Sequence, residues 1–168
     1  MIAAPACYAS LTDALVVHLQ VLLDLELVGE EVLALVGRAC ANPLVQAALD
    51  EHREQSAAQV ARLGQGLELL GAAHDRRASG LAAGLAEDLR VMAAAEGDPD
   101  ARDAALIAGI QVWKHAEIAA YGTARAWAER LDRREVVGLL TRSLDEETVC
   151  DERLSVIAEH LVNLDAGR

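Results

Sequence analysis

Phenylalanine is absent from this 168-residue chain, and all aromatics together make up only 2% of it. A core must therefore be packed from Leu, Val, Ile and Ala, the usual filling of helix bundles. Proline is scarce as well. Pro5, Pro43 and Pro99 stand where a helix could begin or has not yet begun, and the long intervals between them leave room for long helices. The prediction is an all-α fold. No run approaches eighteen apolar residues without a charge, which excludes a transmembrane helix, and Met1 to Gln20 lacks the basic start of a signal peptide. Fifteen Lys and Arg against 27 Asp and Glu give a net charge of −12. That balance argues against nucleic acid and anionic membranes as partners and suits a protein that attracts metal cations. Cysteines number three (Cys7, Cys40 and Cys150), with no metal-type spacing. Reduced thiols in a cytoplasm are expected, Cys7 being the most open to oxidation.

The length suits one domain, 1–168, with 1–10 as a loose N-terminal segment. Ser10 and Thr12 can cap a first helix running to about Ala41. Its inward seam is Leu15, Leu19, Leu22, Glu26, Gly29, Leu33, Val36 and Cys40, spaced four and three apart. Asn42-Pro43 starts a second helix that ends at Gly71. The inward side of that helix includes Val45, Ala48, His52, Gln55, Gln59, Leu63 and Leu67. A loop over 71–78 and a short Ala-rich helix over 79–95 precede the turn cluster Gly97-Asp98-Pro99-Asp100. A third long helix to about Leu131 carries Ile107, Ile110, Lys114, Glu117, Tyr121, Ala124 and Ala128 inward. The fourth, from about Arg133 to Leu164, is expected to turn Leu140, Leu144, Glu147, Asp151, Leu154, Ala158 and Leu161 inward. The architecture is thus an up-down four-helix bundle whose long crossover carries a short fifth helix.

Charges interrupt these seams. Glu26, Lys114, Glu117, Glu147 and Asp151 fall on interior positions, joined by His52 and Gln55. Glu117 and Glu147 lie fifteen residues either side of the turn at Asp132, and Glu26 and Gln55 lie sixteen and thirteen from Asn42. At about 1.5 Å per residue all four sit roughly 20–24 Å from their turns, in one polar layer. Burying an ion costs several kcal/mol, and a domain is stable by only about 5–15 kcal/mol. Interior carboxylates must therefore be neutralised by protons, by a cation or by exposure. Two divalent metals held by carboxylates and imidazole are one solution known in helix bundles, and such oxygen and nitrogen ligands suit iron or manganese.

Four segments carry a resemblance: LLDLE (22–26), ANPLVQAALDEHREQSAAQVARL (41–63), DAALIAGIQVWKHAEIAAYG (103–122) and LLTRSLDEETVCDERL (139–154). They resemble the YciE/YciF family of bacterial ferritin-like proteins, whose third segment typically reads Q-x-x-E-H-Y-E-I-A-x-Y-G. The resemblance implies a ferritin-like bundle, a metal pair held by Glu, His and Asp, and an association with bacterial stress responses. It places Glu26, His52, Gln55, Glu117, Glu147 and Asp151 in the ligand layer. Gln55 stands where the family usually has Glu, Lys114 where it has the first Glu of E-H-Y-E, and Ala116 where it has Tyr.

Glu26, Glu117, Glu147 and Asp151 carry four negative charges, which two divalent ions would balance. The Lys114 ammonium adds one positive charge and cannot ligate while protonated. Lys114 is therefore expected to replace one metal ion with salt bridges, leaving a one-metal or a metal-free, degenerate centre. Three readings of function follow. The first is iron or manganese binding with ferrous or peroxide oxidation; the second is a non-enzymatic scaffold in which Lys114 stands in for metal. The third is an interaction module, with a homodimer as the expected assembly. Trp113 and Trp127, fourteen apart, offer either a dimer anchor or buried packing, and Tyr121 offers a bond to a site carboxylate or plain core. Cys150 suits simple packing beside Glu147. His115 suits a surface or outer position, and His18, His74 and His160 show no pattern.

Overall fold

Ser10 accepts a hydrogen bond from the Asp13 N–H and opens helix α1, Leu11–Ala39. The computed structural model describes residues 8–167; Met1 to Cys7, and with them Pro5 and Cys7, lie outside the described residues, as does Arg168. Asn42 caps α2, Pro43–Leu69, with Pro at the first turn, where its missing N–H has no partner to lose. Gly71 ends α2 at φ 71°, a left-handed conformation that glycine adopts without a side-chain clash. Ser79 caps the short α3, Gly80–Ala93, and Asp98 caps α4, Pro99–Arg130. Helix α5 runs over Arg134–Ile157, continues through a π-turn, Ala158–Val162, and ends in the one-turn α6, Asn163–Ala166.

The described residues are all helix and connection, as the sequence predicts. Neighbouring pairs α1–α2, α2–α5, α5–α4 and α4–α1 close a four-helix bundle, and α3 lies along α1 and α4. Residues 71–79 are tied down from the side. The Arg77 N–H donates to the Gln20 carbonyl (2.9 Å), and the Ser79 N–H to Asp24 Oδ2 (2.7 Å). That connection and α3 carry the chain back to the end where α2 began. None of the described helices is long and apolar enough to cross a membrane.

Asp103 marks that return. Its carboxylate is 1% exposed and accepts the Ala41 N–H (2.9 and 3.0 Å) and the Asn42 N–H (2.6 Å), so the N-terminal part of α4 is pinned to the α1–α2 corner. Hydrogen bonds to a charged group contribute about 1.5–3 kcal/mol each, and Asp103→Ala also orphans two backbone donors. The expected loss is about 3 kcal/mol, read as a lower urea midpoint at unchanged slope. An unchanged midpoint would show that the corner holds without this carboxylate.

Every residue predicted for the α1 seam is buried, as are those of α4. The α5 seam differs. Its buried positions are Val136, Leu140, Ser143, Glu147, Cys150, Leu154 and Ile157, while Leu144 and Asp151 are half-buried. Hydrophobicity favours Leu144 over Ser143, but Ser143 accepts a hydrogen bond from Arg62 of α2 (2.6 Å), and that contact holds the inward register. Further on, the π-turn inserts an extra residue into the helical count. Val162 is consequently buried and Leu161 is turned outward, 39% exposed.

Candidate metal centre

Each of the four long helices supplies a side chain to one buried layer. Glu26 comes from α1, His52 and Ser56 from α2, Trp113, Lys114, Glu117 and Tyr121 from α4, and Glu147 from α5; none is more than 2% exposed. Positions 114, 117 and 121 recur three and four apart, so one face of α4 presents all three toward the axis. One ligand atom each from His52, Glu117 and Glu147 lies within 4.8 Å of the others, a cluster able to coordinate a single metal ion.

Lys114 occupies the middle of it. Its Nζ lies 2.6 Å from His52 Nε2, 2.8 Å from Glu147 Oε2 and 2.5 Å from Glu117 Oε2. An ammonium has only protons to give, so Nε2 must accept and the His52 proton sits on Nδ1. That proton points to Gln55 Oε1 at 3.2 Å. The amide oxygen of Gln55 accepts there without adding a charge, and Gln55 is bound into the centre as a support of His52. Glu147 Oε1 has no hydrogen-bond partner and stands 3.4 Å from His52 Nε2.

Glu26 lies beside the cluster, in contact with other groups. Tyr121 donates to Oε1 (2.6 Å) and Ser56 to Oε2 (2.8 Å). Trp113 donates its indole N–H to Glu117 Oε1 (2.8 Å), holding that carboxylate from the side opposite the ammonium. Asp151 stands outside this layer. It accepts from Gln111 (3.4 Å) and faces the exposed His115 (3.6 Å), both on α4.

The charges explain how the layer stays folded. Three interior carboxylates and one ammonium leave two negative charges to be neutralised. Burial, reinforced by the charge of Glu147, pushes the Glu26 carboxyl up to about 7, against the opposing pull of Lys114, Tyr121 and Ser56. Burial and Glu147 likewise hold the Glu117 carboxyl well above the ordinary range. Glu147 goes the other way: burial would raise it, but the Lys114 ammonium and the adjoining His52 together outweigh that and hold it ionised. Burial alone would strip the Lys114 proton; Glu117, Glu147 and Glu26 more than reverse that and keep the ammonium charged. One fixed cation paired with one fixed anion, with protons shared among the remaining acids, is the resting arrangement.

A two-metal centre does not fit these residues. The ammonium fills the space among the three donors, and the neutral Gln55 amide is engaged with His52. A single ion fits the donor set His52, Glu117 and Glu147 once Lys114 withdraws.

Trp113 is the part of the site that spacing alone left open between surface and core. It is 1% exposed, and the signal was its placement four residues before Glu117 on the same helical face. Ser56 was missed because it adjoins Gln55 in sequence and carries no charge. The indole lies over Gly29, where an added Cβ would come within 3.1 Å of Trp113 Nε1. Gly29→Ala should therefore push the ring off Glu117 and cost about 1–3 kcal/mol, the usual range for overpacking. The check is a urea titration together with the near-UV signal of the indole; an unchanged spectrum would refute the close fit.

The chain matches the family described as "Domain of unknown function (DUF892)" over residues 10–167. It is 35% identical over 132 residues to Protein YciF of Escherichia coli, covering 78% of this chain and 80% of that protein. The solved structure of the E. coli stress protein YciF superposes with a TM-score of 0.88 at 31% identity, over 92% of this chain and 98% of that one. YcfI from Rhodopseudomonas palustris gives 0.84 at 31% identity, over 89% and 95%. With its ferritin-like bundle and altered centre, the chain belongs to the YciE/YciF-like DUF892 family.

Proposed function

We infer that this protein is a ferritin-like member of a stress response whose mid-bundle centre rests in a metal-free, salt-bridged form, with room for one divalent ion in place of the ammonium. The carrying observation is the set of three contacts made by Lys114 Nζ to His52, Glu117 and Glu147. The stress role comes from the relative described as the E. coli stress protein. Free, buried Cys40 and Cys150 suit a cytoplasmic location. Exposed Val112 and Val156 on α4 and α5 favour a homodimer.

Metal analysis of the purified protein tests the reading. Iron and manganese together should stay below one per chain, and Lys114→Glu should raise uptake toward two. Two tightly held irons in the unaltered protein would overturn it.

A second reading, ferrous or peroxide oxidation at a single ion, is favoured by the three converging donors. His52, Glu117 and Glu147 would hold the ion, and their nitrogen and oxygen donors suit iron or manganese. A ferrous ion there would supply the electron for O₂ or peroxide. Tyr121 and Ser56 would keep Glu26 oriented beside it, and the bundle would exclude water. Equal ferrous oxidation rates in the unaltered protein and in Glu147→Ala would remove this reading.

A further inference from the structure

Between α2 and α5 lies a small cavity of about 30 Å³ whose walls include His52, Gln55 and Glu51 from one helix and Val149, Cys150 and Arg153 from the other. A water needs about 10–15 Å³, so the cavity holds one or two water-sized species. His52 belongs at once to this cavity and to the buried centre, where its Nε2 meets Lys114. Toward solvent, Arg153 is ion-paired with Glu51, both side chains about half exposed. Among the described residues, larger cavities lie beside Asp132, beside Trp127 and beside Arg38, and none of these three is lined by a residue of the centre.

We propose that the α2–α5 cavity is the port through which small cations reach the His52 edge of the centre, with the Arg153–Glu51 pair as its cover. The proposal rests on the reading that the centre can exchange its ammonium for an ion. Opening the pair leaves the Glu51 carboxylate at the mouth as a first acceptor for an incoming cation, on a protein whose net charge of −12 already attracts one. The Gln55 amide and the Cys150 sulfur then line the way inward.

Two thiols make the port measurable without any bound metal. Cys40 and Cys150 are similarly buried, 3% and 6% exposed, and burial pushes both thiols up to about 12. Only Cys150 lines the cavity; Cys40 lies at the α1–α2 corner. The probe is the methylmercury cation, which forms a sulfur–mercury bond as the thiol proton leaves to solvent. Cys7→Ser protein removes the third thiol, and peptide mapping reads the other two. Cys150 should react about tenfold faster than Cys40, because global opening exposes both alike whereas a port exposes one. Arg153→Ala should raise the Cys150 rate about fivefold and leave Cys40 unchanged, and Val149→Phe at the mouth should slow Cys150 alone. Equal rates at the two thiols, or a rise at both together in Arg153→Ala, would overturn the port. Neither result depends on metal content, so the reading of the centre stands or falls separately.

Discussion

Lys114→Met should lower the unfolding free energy at pH 8 by about 3–5 kcal/mol, because removing one partner leaves buried charge uncompensated. For a chain of this length that is a drop of about 10 °C in Tm. The side chain is 1% exposed and bridges α2, α4 and α5 through His52, Glu117 and Glu147, and a neutral water cannot take over its charge. A divalent cation can. Manganese should therefore raise the Tm of Lys114→Met, by the equivalent of about 2.7 kcal/mol at a hundredfold excess over Kd, and should raise that of the unaltered protein by less, since there an ion must first displace the ammonium. Methionine is close to lysine in volume, so packing is largely preserved and the charge is what changes. A variant as stable as the parent, with or without metal, would show that the ammonium is not what neutralises the layer.

Stability should also fall as pH rises through neutrality, a direction unusual for a protein rich in carboxylates. Glu26 titrates near 4.5 when unfolded and at about 7 when folded. Between those values the folded state holds a proton that the unfolded state has released, so stability declines with rising pH. The contribution is fully present below about pH 4.5 and is lost by the time pH passes about 7, an effect of order 3 kcal/mol. Glu117, held high by burial and by Glu147, adds in the same sense. Glu147 acts oppositely: its folded carboxyl is lowered, so its contribution is present above the unfolded value and lost only in strong acid. Urea midpoints measured from pH 5 to 8 should slope downward, and Glu26→Gln should flatten the slope. A parent protein with a flat profile over that range would remove Glu26 as the cause.

The seams of α1 and α4 were legible because their apolar residues alternate four and three apart over long stretches, so that Glu26, Lys114 and Glu117 stood out as interruptions. Length arithmetic from the two turns then brought Glu117 and Glu147 to one level, and the structure brings both to the same ammonium. Helix α5 was harder to read. Leu140, Glu147 and Leu154 are buried as read, but between them the seam passes through Ser143 and Cys150 instead of Leu144 and Asp151, and at the first of these hydrophobicity misleads. Ser143 is engaged across the bundle by Arg62, a contact that no local pattern reveals. The π-turn at Ala158 is similarly invisible in the sequence, since nothing in AEHLV demands a wider turn.

Lys114 is joined to its site by peptide bonds, and that gives the bundle an independence that a bundle held by a metal ion lacks. An ion arrives by diffusion, can be taken by a chelator, and depends on what the surroundings supply; coupling of folding to such an ion is the general rule for metalloproteins. A tethered cation has a constant local concentration and is present from the moment the helix forms. An interior neutralised in this way needs no ion for its completion, whereas one that waits for iron does.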